Sequence, residues 1–142
     1  MIRAADIWSK VLGPEHPQVS TAYFNLSTVL YESGHLAQAS EHANTAATIR
    51  KATAGPRHPL YAEALVNLGA VDLARSGGDP NGGGRMRREA IRMLQEGVGI
   101  YESSRGGQHP DTLWARSFLA QAGAGGDDDD DDDDDELENV QE

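Results

Sequence analysis

The sequence predicts an all-α fold of paired helices arranged as a repeat, and three observations support this prediction. The dipeptide His-Pro occurs three times, at residues 16, 58 and 109. Between these dipeptides, apolar and small residues recur with the spacing of one face of an α-helix. Glycine and proline separate the periodic stretches, as expected where one helix ends and the next begins. We therefore predict an α-solenoid of helix–turn–helix repeats.

Two copies of the repeat match in register until a glycine-rich stretch intervenes. Asn25 and Leu26 correspond to Asn67 and Leu68, at an offset of 42 residues. Beyond Gly77 the match shifts by nine residues, and the stretch GGDPNGGGR accounts for the shift as an inserted loop. The predicted repeat region, 1–122, consists of a half repeat 1–15, full repeats 16–57 and 58–108 with the inserted loop at 77–87, and a half repeat 109–122.

Each repeat contains two helical faces that are rich in small residues. Alanine and glycine at facing positions allow two helix backbones to approach closely, which explains why the chain has so few bulky residues. The first repeat places Tyr23, Leu26, Ser27 and Leu30 on one face and Leu36, Ala39, Ala43, Ala46 and Ile49 on the other, and the second repeat places Leu65, Leu68 and Gly69 opposite Ala90, Leu94, Gly97 and Ile100.

The segments between helices contain recognisable stop and start signals. Glycines 13, 55 and 106 are placed to adopt the left-handed conformation that ends a helix, and Ser33-Gly34 marks a turn within the first repeat. The proline of each His-Pro pair suits the first turn of a helix, so the histidine is expected at or near the N-cap. Asp72 occupies the position of Leu30 in the first repeat, so we expect that helix to fray or rotate near its end.

The net charge of −11 belongs to the C-terminal end of the sequence. Residues 127–142 contain 12 of the 23 acidic residues, including nine consecutive aspartates, and no basic residue. We predict a glycine hinge and a disordered acidic tail over residues 123–142, because like charges repel and the segment has almost nothing apolar to bury. Three roles remain open for this tail, namely solubilisation, docking of a basic partner, and weak binding of divalent cations.

Several classes of function lack their sequence signals. The chain has no cysteine, no HExxH, and no histidine pair at the i, i+4 spacing of a helical metal site, so we predict neither a metal nor another cofactor. It also lacks a nucleophile elbow and a phosphate-binding loop, so we expect no enzyme activity. No apolar run reaches the roughly 18 residues of a membrane span, and no secretory leader is recognised, so we expect no membrane partner and a cytoplasmic protein.

The repeat resembles a known family. The stretch VLGPEHPQVSTAYFNLSTVLYESGHLAQA, followed by TIRKATAGPRHP, is similar to the 42-residue repeat of kinesin light chains within the tetratricopeptide repeat proteins. This resemblance implies a right-handed solenoid and a scaffold or cargo adaptor that binds a protein or peptide. The implied partners are kinesin heavy chain or a cargo protein, and the implied location includes the cytoskeleton.

The resemblance also implies a binding groove. In this family the first helix of each repeat lines a concave surface, where Asn25 and Asn67 would clamp the backbone of an extended peptide by donating and accepting hydrogen bonds. The alternative is that these asparagines bond only within the helix pair. The remaining predicted groove residues are Thr21, Phe24, Thr28, Glu63, Val66, Ala70 and Trp114.

A second candidate surface is the arginine cluster, which we define as Arg85, Arg87, Arg88 and Arg92. It could bind phosphates or acidic peptides, or it could be a solvated helix face. We do not predict a nucleic-acid partner, because no aromatic residues are interleaved with the arginines. The nearest strong anion in the sequence is the acidic tail of the same chain.

The absence of catalytic motifs, together with the resemblance, therefore favours a non-catalytic protein-interaction scaffold that binds a peptide through its repeats. Two alternatives stay open. The acidic tail could make the chain a chaperone or binder of basic proteins such as histones, with the repeats as a platform. The repeats could instead be a regulatory part of a larger signalling protein.

Overall fold

The computed structural model describes residues 16–77 and 83–122, and these residues form five α-helices. The predicted half repeat 1–15 and the acidic tail lie outside the described residues. No β-strand occurs in the two described ranges. The helices are α1 (Pro17–Glu32), α2 (Leu36–Thr53), α3 (Pro59–Ser76), α4 (Gly83–Arg105) and α5 (Pro110–Gln121).

Each helix packs against the next one along the chain, and α1 also contacts α3. The short connections between successive helices make neighbours antiparallel, so α1 and α2 form one pair and α3 and α4 form the next. The all-α solenoid predicted from the sequence is confirmed.

A histidine–proline cap begins α1, α3 and α5. The side-chain Nδ1 of His16, His58 or His109 accepts a hydrogen bond from the backbone N–H two residues later, at 3.1, 3.0 and 3.0 Å respectively. Proline follows directly at the start of each helix, where a missing N–H costs nothing. The histidine N-caps predicted from the sequence are therefore confirmed. The N-cap residue of α2, His35, makes no such side-chain bond.

Glycines end the helices as predicted. Gly55 follows α2 with φ of 112°, and Gly106 follows α4 with φ of 90°. Both values lie in the left-handed region, which glycine adopts without the steric cost that a Cβ would impose.

Helices α3 and α4 pack closely at two glycines, one on each helix. A Cβ added to Gly69 in α3 would lie 2.9 Å from Cγ of Leu94. A Cβ added to Gly97 in α4 would collide with Cγ2 of Val66 unless one of them moved. Leu94 and Val66 have no exposed surface. Small residues at facing positions thus bring the two helices together, as the sequence indicated.

Of the two outcomes expected near Asp72, fraying of α3 does not occur, because the helix continues to Ser76. The Asp72 carboxylate accepts a hydrogen bond of 2.6 Å from Oγ of Ser40 in α2, and lies 3.5 Å from the guanidinium of Arg75. A polar contact between α2 and α3 therefore replaces the apolar contact expected at this repeat position.

The C-terminal part of the predicted inserted loop is helical. The sequence placed it at residues 77–87, whereas α4 already begins at Gly83. Arginine, methionine and glutamate have good helix propensity, and residues 85–89 consist entirely of these types. Their preference for helix explains why the first turns of α4 form within the stretch assigned to the loop.

Candidate functional site

The first helices of the two full repeats, α1 and α3, are joined by a hydrogen bond between side chains. Nδ2 of Asn67 in α3 donates to Oγ of Ser27 in α1 at 3.1 Å. Ser27 is fully buried and Asn67 is half-buried, so the bond lies at the base of the surface that the two helices share. We call the exposed surfaces of α1, α3 and α5 the first-helix face.

Exposed polar groups occupy the α1 part of this face. Thr21 and Asn25 are both exposed, one helical turn apart, and border a shallow depression together with Gln18 and Ala22. The Asn25 amide has no hydrogen-bond partner among the described residues, so it can both donate and accept. Asn67, by contrast, already uses one N–H of its amide to bond Ser27 of α1. This bond joins two repeats, so Asn67 is neither a wholly free peptide clamp nor bonded only within its own helix pair.

Arg50 of α2 is buried, with 6% of its surface exposed, and its side chain contacts residues of both α1 and α3. Its Nε donates to Oγ of Ser20 at 3.2 Å, and its Nη1 donates to the carbonyl of Leu60 at 3.2 Å. Nη1 also donates to Oε1 of Glu63 at 3.1 Å. One guanidinium thus ties α1 and α2 to the start of α3.

Two of the predicted groove residues are held by Arg50. Its guanidinium carbon lies 4.9 Å from the centre of the Phe24 ring, within the range of a cation–π contact. The Glu63 carboxylate pairs with the same group while keeping 41% of its side chain exposed. We call the place where Arg50 joins α1 and α2 to α3 the first junction. Because Glu63 neutralises the charge of Arg50, the surface of the first junction is nearly neutral. A small depression beside it is lined by Thr21, Arg50 and Leu60.

An aromatic junction joins the second full repeat to α5. The ring of Tyr101 in α4 meets Trp114 edge-on at 6.4 Å between centroids, and Trp114 meets Phe118 edge-on at 5.6 Å. Burial raises the pKa of the Tyr101 hydroxyl well above its usual range, and the carboxylates of Glu63 and Asp111 raise it further. Trp114 keeps 38% of its surface exposed, so its ring is accessible on the first-helix face.

Residues 1–52 match the sequence model of the family described as Tetratricopeptide repeat, and this match includes α1 and nearly all of α2. The fold is that of a tetratricopeptide-repeat solenoid. Such repeats are generally non-catalytic and mediate contacts between proteins. No curated protein sequence matches the chain.

The predicted groove set needs two corrections. Val66 has no exposed surface, and Ala70 is buried at 8% exposure. Val66 packs against Gly97 of α4, so its side chain points into the helix pair and cannot reach a bound peptide. Thr28 is half-buried, and its hydroxyl donates to the carbonyl of Phe24 at 3.1 Å.

The arginine cluster lies near the end of α5. Arg85, Arg87 and Arg92 are exposed and Arg88 is half-buried, all within the first three turns of α4. The guanidinium of Arg87 donates to the carbonyl of Ala122, directly after α5. This cluster is separate from the first-helix face, because its residues belong to a second helix.

Two further kinds of site are absent from the part of the chain that the structure describes. It contains no group of three or more metal-ligating side chains arranged for an ion. None of its helices is long and apolar enough to cross a membrane.

Proposed function

We propose that the first-helix face binds an extended peptide from a partner protein, and that the chain acts as an interaction scaffold without catalysis. The observation that carries this proposal is the exposed amide of Asn25, which stands beside Thr21 at a shallow depression and has no partner among the described residues. An amide in this position can satisfy both a peptide N–H and a peptide carbonyl, which an extended ligand leaves unpaired.

The character of the face limits which peptide fits. Arg50 is already paired with Glu63, so the first junction supplies no unbalanced cation to attract an acidic ligand. Trp114 offers an exposed aromatic ring further along. We therefore propose a peptide that is bound by its backbone and by an apolar side chain, since aromatic rings contribute most to such contacts.

The finer proposal is that this partner belongs to a cargo complex. It rests on the similarity of the 42-residue repeat to that of kinesin light chains, and it carries with it a cytoplasmic, cytoskeleton-associated location. Under this proposal the ligand is a segment of a cargo protein or of kinesin heavy chain.

Selection from a random peptide library displayed on phage tests the first-helix face directly. Asn25→Ala is expected to lower the affinity for the selected peptides by about 10- to 100-fold, because a buried peptide group then lacks its partner. Asn44→Ala is the matched control, since Asn44 is an exposed asparagine on α2. Equal affinity for both variants and the unchanged chain would remove Asn25 from the site.

A further inference from the structure

The end of α5 is fixed against the first turns of α4. The Arg87 guanidinium donates to the carbonyl of Ala122, the last described residue. Ala122 and Ile91 of α4 are both buried and belong to one apolar cluster, on which Leu73 and Leu119 pack. The described part of the chain therefore ends directly beside Arg87 of the arginine cluster.

The surface at this point is strongly positive. Residues 84–92 contain the four arginines of the cluster and a single acid, Glu89, so their net charge is +3. The N-terminal end of α4 adds the partial positive charge of the helix dipole. Three of the four arginines are exposed, so the charge faces solvent.

The acidic residues of the tail lie within reach of the whole cluster. Asp127 is five residues beyond Ala122, which corresponds to at most about 18 Å of extended chain. The axial distance from Arg85 to Arg92 is only about 10 Å, at the helical rise of about 1.5 Å per residue. Residues 127–138 contain eleven acids, so one short segment supplies more than two carboxylates for each arginine of the cluster. Tethering at this length corresponds to an effective concentration in the millimolar range.

We propose that residues 127–138 dock on the arginine cluster of the same chain, as an electrostatic contact that any acidic partner of the cluster has to displace. The contact is loose and exchanges rapidly, because each exposed ion pair contributes little free energy and salt screens it. It is independent of peptide binding at the first-helix face. Acidic ligands should therefore bind the cluster less tightly in the full chain than in a chain without residues 127–138.

A paramagnetic label on the tail tests this contact. The chain has no cysteine, so Asn139→Cys provides the only attachment site for a nitroxide. We expect the label to reduce the amide NMR intensities of residues 84–92 about twofold more than those of residues 54–60, at the opposite end of the helices, in about 20 mM salt. The difference should disappear in about 0.5 M salt, where the Debye length falls to about 4 Å.

Two pairs of substitutions provide the controls. Arg85→Gln with Arg92→Gln should abolish the local loss of intensity, whereas Lys51→Gln with Arg57→Gln, which removes two exposed cations at the other end, should preserve it. Equal intensity losses at both ends, or a loss that survives the arginine substitutions, would overturn the proposal. So would a loss of the same size when the label is on one copy and the isotope on another, because the tail would then dock between molecules.

Discussion

Arg50 and Tyr101 occupy the same position in successive repeats, and each joins its own helix pair to the next first helix. Arg50 pairs with Glu63 at 3.1 Å, while Tyr101 meets Trp114 edge-on at 6.4 Å between ring centroids. Glu63 and Trp114 are themselves equivalent, since both pairs are related by an offset of 51 residues. One repeat position therefore supports an ionic junction in one place and an aromatic junction in the other.

The residues at positions 50 and 63 should act together when the ionic junction is replaced by the aromatic one. Arg50→Tyr alone should lower the free energy of unfolding by about 2–3 kcal/mol, because Glu63 and the Leu60 carbonyl lose their charged donor. Adding Glu63→Trp should recover about 1 kcal/mol, because the new rings can pack against each other. Urea denaturation followed by circular dichroism measures both values. Strictly additive effects would show that the two positions are not coupled.

Gly97 and Gly99, two of the glycines of α4, should respond in opposite ways to substitution by alanine. Gly97→Ala is expected to lower the free energy of unfolding by about 1–3 kcal/mol, because the new methyl group meets Val66. Gly99→Ala should raise it by about 0.5–1 kcal/mol, because nothing lies within 4 Å and alanine favours helix. Thermal unfolding of both variants checks this contrast. A stabilised Gly97→Ala variant would mean that α3 and α4 are not closely packed there.

The N-cap residue of α3 should contribute more to the free energy of unfolding than the N-cap residue of α2. His58→Ala removes an acceptor for the N–H of Leu60 and should cost about 1 kcal/mol, whereas His58→Asp should restore most of that stability. His35→Ala is the matched control, because the His35 side chain makes no cap bond, and its effect should stay within about 0.5 kcal/mol. Similar losses at both histidines would refute a specific capping role for the imidazole.

Stability should fall at alkaline pH because of Tyr101. Burial and nearby carboxylates raise the pKa of this hydroxyl in the folded state. Above about pH 10 an unfolded tyrosine releases its proton while folded Tyr101 keeps it. The unfolded state then binds fewer protons, so the free energy of unfolding decreases as pH rises. Between pH 8 and about 11.5, the free energy of unfolding of the Tyr101→Phe variant should decrease less than that of the unchanged chain. Parallel pH profiles would contradict this assignment.

The features that the sequence predicted correctly depend on short-range interactions. Each histidine cap involves only the next two residues, and Gly55 and Gly106 adopt positive φ because of their own backbone. Helical spacing likewise predicted α1 and α2 and their small facing residues. Such signals are complete within a few positions, so they can be read without knowing what lies across the fold.

The features that the sequence did not reveal depend on residues far apart along the chain. Arg50 stands among basic residues at the end of α2, and its sequence context gives no sign that Ser20 and Glu63 will enclose it. The same is true of Asp72, whose partner Ser40 is 32 residues away. Val66 was misplaced because family resemblance identifies a helix and its general face, whereas the rotation of one side chain depends on packing against Gly97.

The histidine–proline cap also has an evolutionary consequence. All of its atoms lie within three consecutive residues, so a gene duplication that copies a repeat copies a complete start signal for its first helix. The residues that join one repeat to the next belong to two different repeats. After a duplication, each of them has to fit a new neighbour. Chains of this type can therefore gain units easily, but a unit moved to a new place should fit its neighbours only after further substitutions.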